Sequence, residues 1–267
     1  MKSIEPNMTN ASGGPPVHFV GAGPGAADLI TLRGKALLES ADVIIYAGSL
    51  VNPDLLSYAN RDCETHDSAA MTLDEVIGVT ANAVRQSKSV VRLHTGDPSL
   101  YGAIREQMDR LAALGIDYDI CPGVSSMGAA AASLKAEYTL PGVSQTVILT
   151  RAAGKTPTPE RESIRELAAH GATMVLFLSA GLLQSLPEDL IAGGYTSDTP
   201  AAIVYKASWP EEKIVRCTVG TLAGSASAGG IMKTALVCIG QFLGDDYELS
   251  KLYCPSFTTG FRRGTQP

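Results

Sequence analysis

The first half of the chain alternates short apolar runs with longer amphipathic stretches. Val17–Val20 is apolar and ends at Gly21, and Asp42–Tyr46 (DVIIY) and Ser89–Leu93 repeat the pattern. Runs this short, bounded by turn residues, read as strands buried on both faces. Between them, Leu29–Ser40 reads as a helix. Leu73–Gln86 places Leu73, Val76, Ile77, Thr80 and Val84 at helical spacing. Ser99–Leu114 does the same with Ile104, Met108, Leu111 and Leu114 before Gly115. Tyr118–Cys121 is a further strand that stops at Pro122-Gly123, and the alanine-rich Ser126–Lys135 follows as a helix. Strands alternating with helices predict an α/β unit with a mainly parallel sheet covered on both faces.

The pattern changes after the Pro141-Gly142 turn in Ala136–Val143. Thr146–Thr150 and Thr173–Leu178 read as strands, with helices near Glu162–His170 and Leu182–Ile191. Ala201–Lys206, Ile214–Thr218 and Ala235–Ile239 are then three β-like runs with little helix between them. This half predicts an α+β unit with a mixed sheet. The expected organisation is a flexible leader over 1–16, an α/β domain over 17–138, an α+β domain over 139–244 and a loosely held tail over 245–267. A ligand cleft is expected between the domains, where such sites are common.

Charge and cysteine usage narrow the function classes. The formal net charge of −6 speaks against non-specific nucleic-acid binding, which draws on basic surface. An anionic small molecule stays possible if Lys and Arg are gathered locally. The five cysteines, an odd number without a C-x-x-C pair, argue against a disulfide framework or a zinc site. Cys121 and Cys238 lie in apolar runs and read as buried small hydrophobes. No apolar run approaches the length of a membrane span, and the N-terminus lacks the basic start and apolar stretch of a signal peptide. The expected location is therefore the cytoplasm, with neither membrane nor nucleic acid as partner.

Three strand ends carry the candidate chemistry. Gly21-Ala22-Gly23-Pro24-Gly25-Ala26 fits the spacing of a dinucleotide fingerprint, which would make a nicotinamide-binding oxidoreductase. The ribose-binding acid that such a site needs is missing from the far end of the second strand, where Asp42 stands at the near end. Pro24 also removes a donor from the loop. Thr95-Gly96-Asp97-Pro98-Ser99 reads either as a capped helix start, with Asp97 or Ser99 as N-cap, or as a ligand loop at the carboxyl edge of the sheet. Cys121-Pro122-Gly123-Val124-Ser125-Ser126 reads in the same two ways, with Ser126 as N-cap. Together the three point to one ligand-lined edge.

Gly21–Thr31 (GAGPGAADLIT), Thr95–Gly102 (TGDPSLYG) and Cys121–Ser126 (CPGVSS) resemble the tetrapyrrole methylase family, and the likeness runs from about Val17 to Leu243. Tyr46–Val51 (YAGSLV), Asp67–Leu73 (DSAAMTL) and Leu140–Arg151 (LPGVSQTVILTR) are similar to the branch that methylates C11 of precorrin-4 on the route to cobalamin, in a metal-free or a cobalt-containing form. On these motifs the metal-free form is the closer likeness. The resemblance implies a two-domain homodimer using S-adenosyl-L-methionine. Carried over by position, the cofactor shell comprises Pro24, Thr95, Gly96, Asp97, Leu100, Ser125, Ser126, Leu178, Ala207, Thr234 and Ala235. Uroporphyrinogen-III methyltransferases carry an acid in the loop after the second strand and a basic segment near residues 66–71. This chain has Ala47 and His66–Met71 (HDSAAM) there, which lowers that reading.

The implied reaction joins a sulfonium methyl to a ring carbon, with the protein supplying alignment and a dry site. His94 is the candidate general base, on its ordinary pKa near 6.5, against a structural role at a strand end. For the carboxylates of an anionic tetrapyrrole the candidates are Arg92, Arg151 and Lys206, with Arg33 and Lys35 as alternatives. Ser49, Tyr101 and Met71 are candidates to line the trough. No metal site is expected. The rival readings are a methyltransferase of the same fold acting on a macromolecule, the nicotinamide enzyme, and a binding module without catalysis.

Overall fold

The computed structural model describes residues 14–265, so the expected leader over 1–16 lies outside the described residues except for 14–16. The chain divides into two units, Met1–Ala129 with Lys206–Glu211, and Ala130–Tyr205 with Glu212–Pro267.

In the first unit, β1 (Val17–Gly21), β2 (Val43–Tyr46), β3 (Glu64–Asp67), β4 (Val90–His94) and β5 (Tyr118–Cys121) form one parallel sheet. Its order is β3-β2-β4-β1-β5. The apolar runs are buried on both faces, as predicted. Val17, Phe19, Ile45 and Val90 pack beneath α2 (Leu73–Arg85) and α3 (Ile104–Ala113). Val20, Ile44, Val91, Leu93 and Cys121 pack on the other face with Leu38 of α1 (Leu32–Ser40) and with Leu55. The register aligns the carboxyl ends: Tyr46 opposes Asp67 and Leu93, Gly21 opposes His94, and Val20 opposes Cys121. Every strand of the unit thus delivers its loop to the same edge.

Three local expectations change. β3 (ETHD) is polar and largely exposed, an edge strand without the apolar signature of the others. The helix expected from Ser99 starts at Ile104, because Tyr101 and Ala103 take left-handed φ of 57° and 49° and interrupt the turn. Its N-cap position is Ala103, without a side-chain cap, so neither Asp97 nor Ser99 caps it. The helix expected from Leu29 opens as a 3-10 turn, Ala27–Leu29, and becomes α-helical only at Leu32, where Thr31 accepts from Gly34 N–H at 3.0 Å.

The second unit holds a mixed sheet of β6 (Val147–Arg151), β7 (Thr173–Phe177), β8 (Pro200–Tyr205), β9 (Lys213–Thr218) and β10 (Ala235–Ile239), ordered β6-β7-β10-β8-β9. β6 and β7 are parallel and the other pairs antiparallel. Met174, Leu176, Ile203, Val237 and Ile239 form its core with α5 (Ile164–Ala168), α6 (Leu186–Ala192) and α7 (Leu222–Gly229). α7 lies between β9 and β10, where little helix was expected; its small residues (LAGSASAG) give almost no amphipathic signal. α4 (Ser126–Leu134) spans the division between the units. Within the tail, one guanidinium nitrogen of Arg262 donates to Leu252 O at 2.9 Å and Cys254 O at 2.7 Å, and Thr265 N–H donates to Pro255 O at 2.9 Å.

Candidate functional site

Three loops at the carboxyl edge of the parallel sheet touch one another through backbone. Gly23 and Gly96 form an antiparallel bridge: Gly96 N–H donates to Gly23 O at 2.8 Å, and Gly23 N–H to Gly96 O at 3.3 Å. A Cβ on Gly21 would stand 2.4 Å from Gly123 Cα, and one on Gly123 would stand 2.1 Å from Gly96 O. Glycine is therefore required where the three strand ends meet. Gly23 and Gly96 also have φ of 78° and 60°, which disfavours any side chain. The three glycine turns that sequence reasoning singled out are one structure.

Asp97 is the polar centre of this edge. One carboxylate oxygen accepts Gly123 N–H at 2.9 Å and the other accepts Ser99 N–H at 2.9 Å as well as the Ser99 hydroxyl. Burial alone would raise its pKa, but the Ser99 hydroxyl and the Gly123 and Ser99 N–H groups outweigh burial and hold it below the usual carboxylate value. Thr95, Leu100 and Ser126 are half-buried around it. The cap at α4 is Ser125 rather than Ser126: its hydroxyl accepts Met127 N–H at 3.4 Å and its carbonyl accepts Gly128 N–H at 3.0 Å.

Unlike Gly21 and Gly123, Gly96 keeps room beside its Cα. A Cβ at Gly96 would meet only Ser126 N at 3.5 Å and Ser125 Cα at 3.8 Å, ordinary contact distances, so this face of the loop is not filled by protein. The N-terminus of α4 opens beside it and favours negative charge. In the second unit, taken by itself, Leu178 is 62% exposed with φ of 52°, and Thr234 has φ of 54°. β7 ends at Phe177 and β10 begins at Ala235, with Leu176 opposite Val237, so Leu178, Thr234 and Ala235 lie at the same end of this antiparallel pair. Ala207 is buried within the first unit.

The substrate candidates separate. Arg92 alternates onto the α2–α3 face, is 8% exposed, and donates to Gln107 Oε1 at 3.0 Å and Ile45 O at 3.1 Å. It is an interior cation and not an arm for a ligand carboxylate; burial lowers its pKa to about 10, which keeps it charged. Arg151 braces its own loop through Thr156 O at 3.1 Å and Pro157 O at 2.8 Å. Lys206 lies 4.7 Å over the Trp209 ring and 3.5 Å from Glu211. Lys35 sits over Tyr58 at 5.0 Å, and Arg33 is exposed. Ser49 and Tyr101 are exposed, whereas Met71 packs against the α2–α3 core.

His94 does not suit the role of base. Burial, with the nearby Arg92 charge, lowers its pKa to about 3, and its Nε2 has no hydrogen-bond partner. It stacks near Phe19, with ring centroids 5.9 Å apart, as a neutral core residue. Residues that sequence reasoning missed instead shape the edge. Asp67 accepts Gly48 N–H at 3.0 Å and Ala69 N–H at 2.8 Å, fastening the YAGSLV loop to the DSAAMTL segment. Asn52 Nδ2 donates to Gly25 O at 2.9 Å, and Trp209 lies against Gly25. Asn52 precedes a proline and reads as a turn residue, and Trp209 is remote in sequence, so neither gives a local signal. Among the described residues, no group of three or more His, Cys, Asp or Glu could hold a metal ion, and no helix is long and apolar enough to cross a membrane.

The family described as Tetrapyrrole (Corrin/Porphyrin) Methylases matches residues 16–223. The cobalt-precorrin-4 C(11)-methyltransferase of Methanocaldococcus jannaschii is 54% identical over 92% of this chain and 96% of its own length. The precorrin-4 C(11)-methyltransferase of a Sinorhizobium species is 43% identical over 92% and 98%. Among solved structures, a cobalt-precorrin-4 methyltransferase described as a cobalamin biosynthetic enzyme aligns with a TM-score of 0.84 at 47% identity, covering 86% of this chain and 96% of that one. A Thermus thermophilus uroporphyrin-III C-methyltransferase complexed with S-adenyl homocysteine aligns with a TM-score of 0.72 at 26% identity, covering 85% and 98%.

Proposed function

The chain belongs to the tetrapyrrole (corrin/porphyrin) methylases, and from that membership we propose that it transfers a methyl group from S-adenosylmethionine to C11 of precorrin-4 in the building of the corrin ring. The observation that carries the cofactor half is the fused glycine edge, in which Gly23, Gly96 and Gly123 meet around Asp97. The substrate half is supported by near full-length identity to relatives named for that carbon. The greater identity, 54% against 43%, favours the cobalt-containing ring over the metal-free ring expected from the motifs.

When bound, S-adenosylmethionine supplies an electrophilic methyl group on a sulfonium. The protein's own residues bind and align. Gly23 and Gly96 keep backbone close to the ligand, and Asp97 locks the second and third loops together and adds negative charge beside the ligand site. Leu100, a cofactor contact by family likeness, adds half-buried apolar surface to the same loop. Alignment of this kind can be worth about 7–11 kcal/mol of barrier, because the entropy of bringing the reactants together is met at binding. Neither His94, held neutral, nor position 47, an alanine, supplies a base.

Incubation with methyl-labelled S-adenosylmethionine and either precorrin-4 or cobalt-precorrin-4 tests the reading. Carbon NMR is expected to place the label at C11, with faster turnover of the cobalt form. Label at another carbon, or no transfer to either ring, refutes it. The homodimer implied by the family likeness is tested by sedimentation equilibrium on the same preparation.

A further inference from the structure

The loop Pro24-Gly25-Ala26 is held by a segment distant in sequence, Lys206–Glu211, which belongs to the same unit. Trp209 Nε1–H donates to Pro24 O at 3.1 Å, and Ala26 N–H donates to the Ser208 hydroxyl at 3.0 Å. The indole covers Gly25 so closely that a Cβ there would stand 2.0 Å from Trp209 Cδ1. Asn52 Nδ2 donates to Gly25 O at 2.9 Å. The three residues are therefore tethered in succession by groups from outside the loop.

The segment is bent to make this contact. Lys206 and Ser208 adopt left-handed φ of 47° and 68°, unfavourable for residues with a side chain, and Trp209 N–H closes the turn onto Lys206 O at 3.0 Å. Such strain persists only where surrounding contacts enforce it. The Lys206 ammonium lies 4.7 Å from the indole centroid and pairs with Glu211 at 3.5 Å, adding a further contact to the ring. Ala207, in the same turn, is a cofactor contact by family likeness, so one short segment both braces the first loop and reaches the ligand.

We propose that Trp209 is a positioning residue for the cofactor, holding the Pro24–Ala26 turn in its ligand-binding form. The inference deepens the cofactor reading above and rests on it. The indole acts through the loop: it preorganises backbone that would otherwise be ordered only on binding, at a cost to affinity. Trp209→Phe keeps an aromatic ring over Gly25 and loses the N–H donor; Trp209→Ala loses both.

The test is calorimetric titration of the full chain with S-adenosylhomocysteine, beside thermal melting and steady-state kinetics. Trp209→Ala is expected to raise Kd at least tenfold and Trp209→Phe three- to fivefold. KM for S-adenosylmethionine should rise in step, while kcat at saturating cofactor and KM for the tetrapyrrole stay within twofold. Both variants binding within twofold of the parent would overturn the proposal. So would a lowered melting temperature with parental affinity, which would assign Trp209 to stability alone. If Trp209→Ala does not fold, Trp209→Phe decides by the same criterion. A parent chain that binds no S-adenosylhomocysteine refutes the cofactor reading itself, a result distinct from either.

Discussion

Gly123 donates its backbone N–H to Asp97 at 2.9 Å, so a carboxylate on the loop after β4 holds the loop after β5 in place. The same carboxylate orders its own turn through Ser99. Asp97→Ala removes all of these bonds. Hydrogen bonds to charged groups are worth about 1.5–3 kcal/mol each. The expected result is at least a tenfold weaker S-adenosylhomocysteine affinity and a melting temperature lowered by several degrees, read by calorimetry and by thermal melting. Asp97→Asn, which can still accept from Gly123, should lose less of both. The pKa of Asp97 is lowered, so its contribution to stability is present above the ordinary value of 3.8 and is lost as pH falls through the lower folded value.

The glycines make a sharper contrast. In Gly123→Ala the new methyl would stand 2.1 Å from Gly96 O and 2.7 Å from Gly21 Cα, all backbone that cannot step aside. Cofactor binding should be abolished and the melting temperature should fall. At Gly78, exposed on α2, a Cβ would meet nothing within 4 Å. Gly78→Ala should stabilise the fold by roughly 0.5–1 kcal/mol through helix propensity, with unchanged affinity. Thermal melts of the two variants side by side check both outcomes.

His94 gives a pH prediction with a defined window. Its folded pKa, about 3, lies below the ordinary 6.5. Between these values the unfolded chain takes up a proton that the folded chain refuses, so stability falls as pH drops from 6.5 towards 3. His94→Leu removes this effect and also a buried nitrogen without a partner. Denaturant midpoints measured from about pH 7 to about pH 4 should decline less steeply in the variant than in the parent. At neutral pH the variant should be as stable or more so, and methyl transfer should continue, because burial makes His94 a poor base. Loss of turnover in a folded His94→Leu chain would restore it to the chemistry.

What was legible in the sequence followed from what is local. DVIIY and its counterparts are apolar because both faces of a parallel strand are covered, and Gly21, Gly96 and Gly123 mark strand ends because backbone meets backbone there. The polar β3 was silent because an edge strand has no buried face to advertise. The start of α3 was misplaced because Tyr101 and Ala103 adopt a handedness that no residue type signals. Arg92 looked like a ligand arm because a charge near a strand end is usually exposed. Its neutral partners, Gln107 and the carbonyl of Ile45, are 15 and 47 residues away and became visible only in the folded chain. Trp209, 185 residues from Pro24, belongs to the same class.

The fused glycine edge is proposed to hold an S-adenosyl ligand rather than a nicotinamide dinucleotide. Isothermal calorimetry on one preparation, with S-adenosylhomocysteine and then with NAD, tests it most directly. The expected result is saturable heat with S-adenosylhomocysteine and none with NAD; saturable heat with NAD alone would contradict the account.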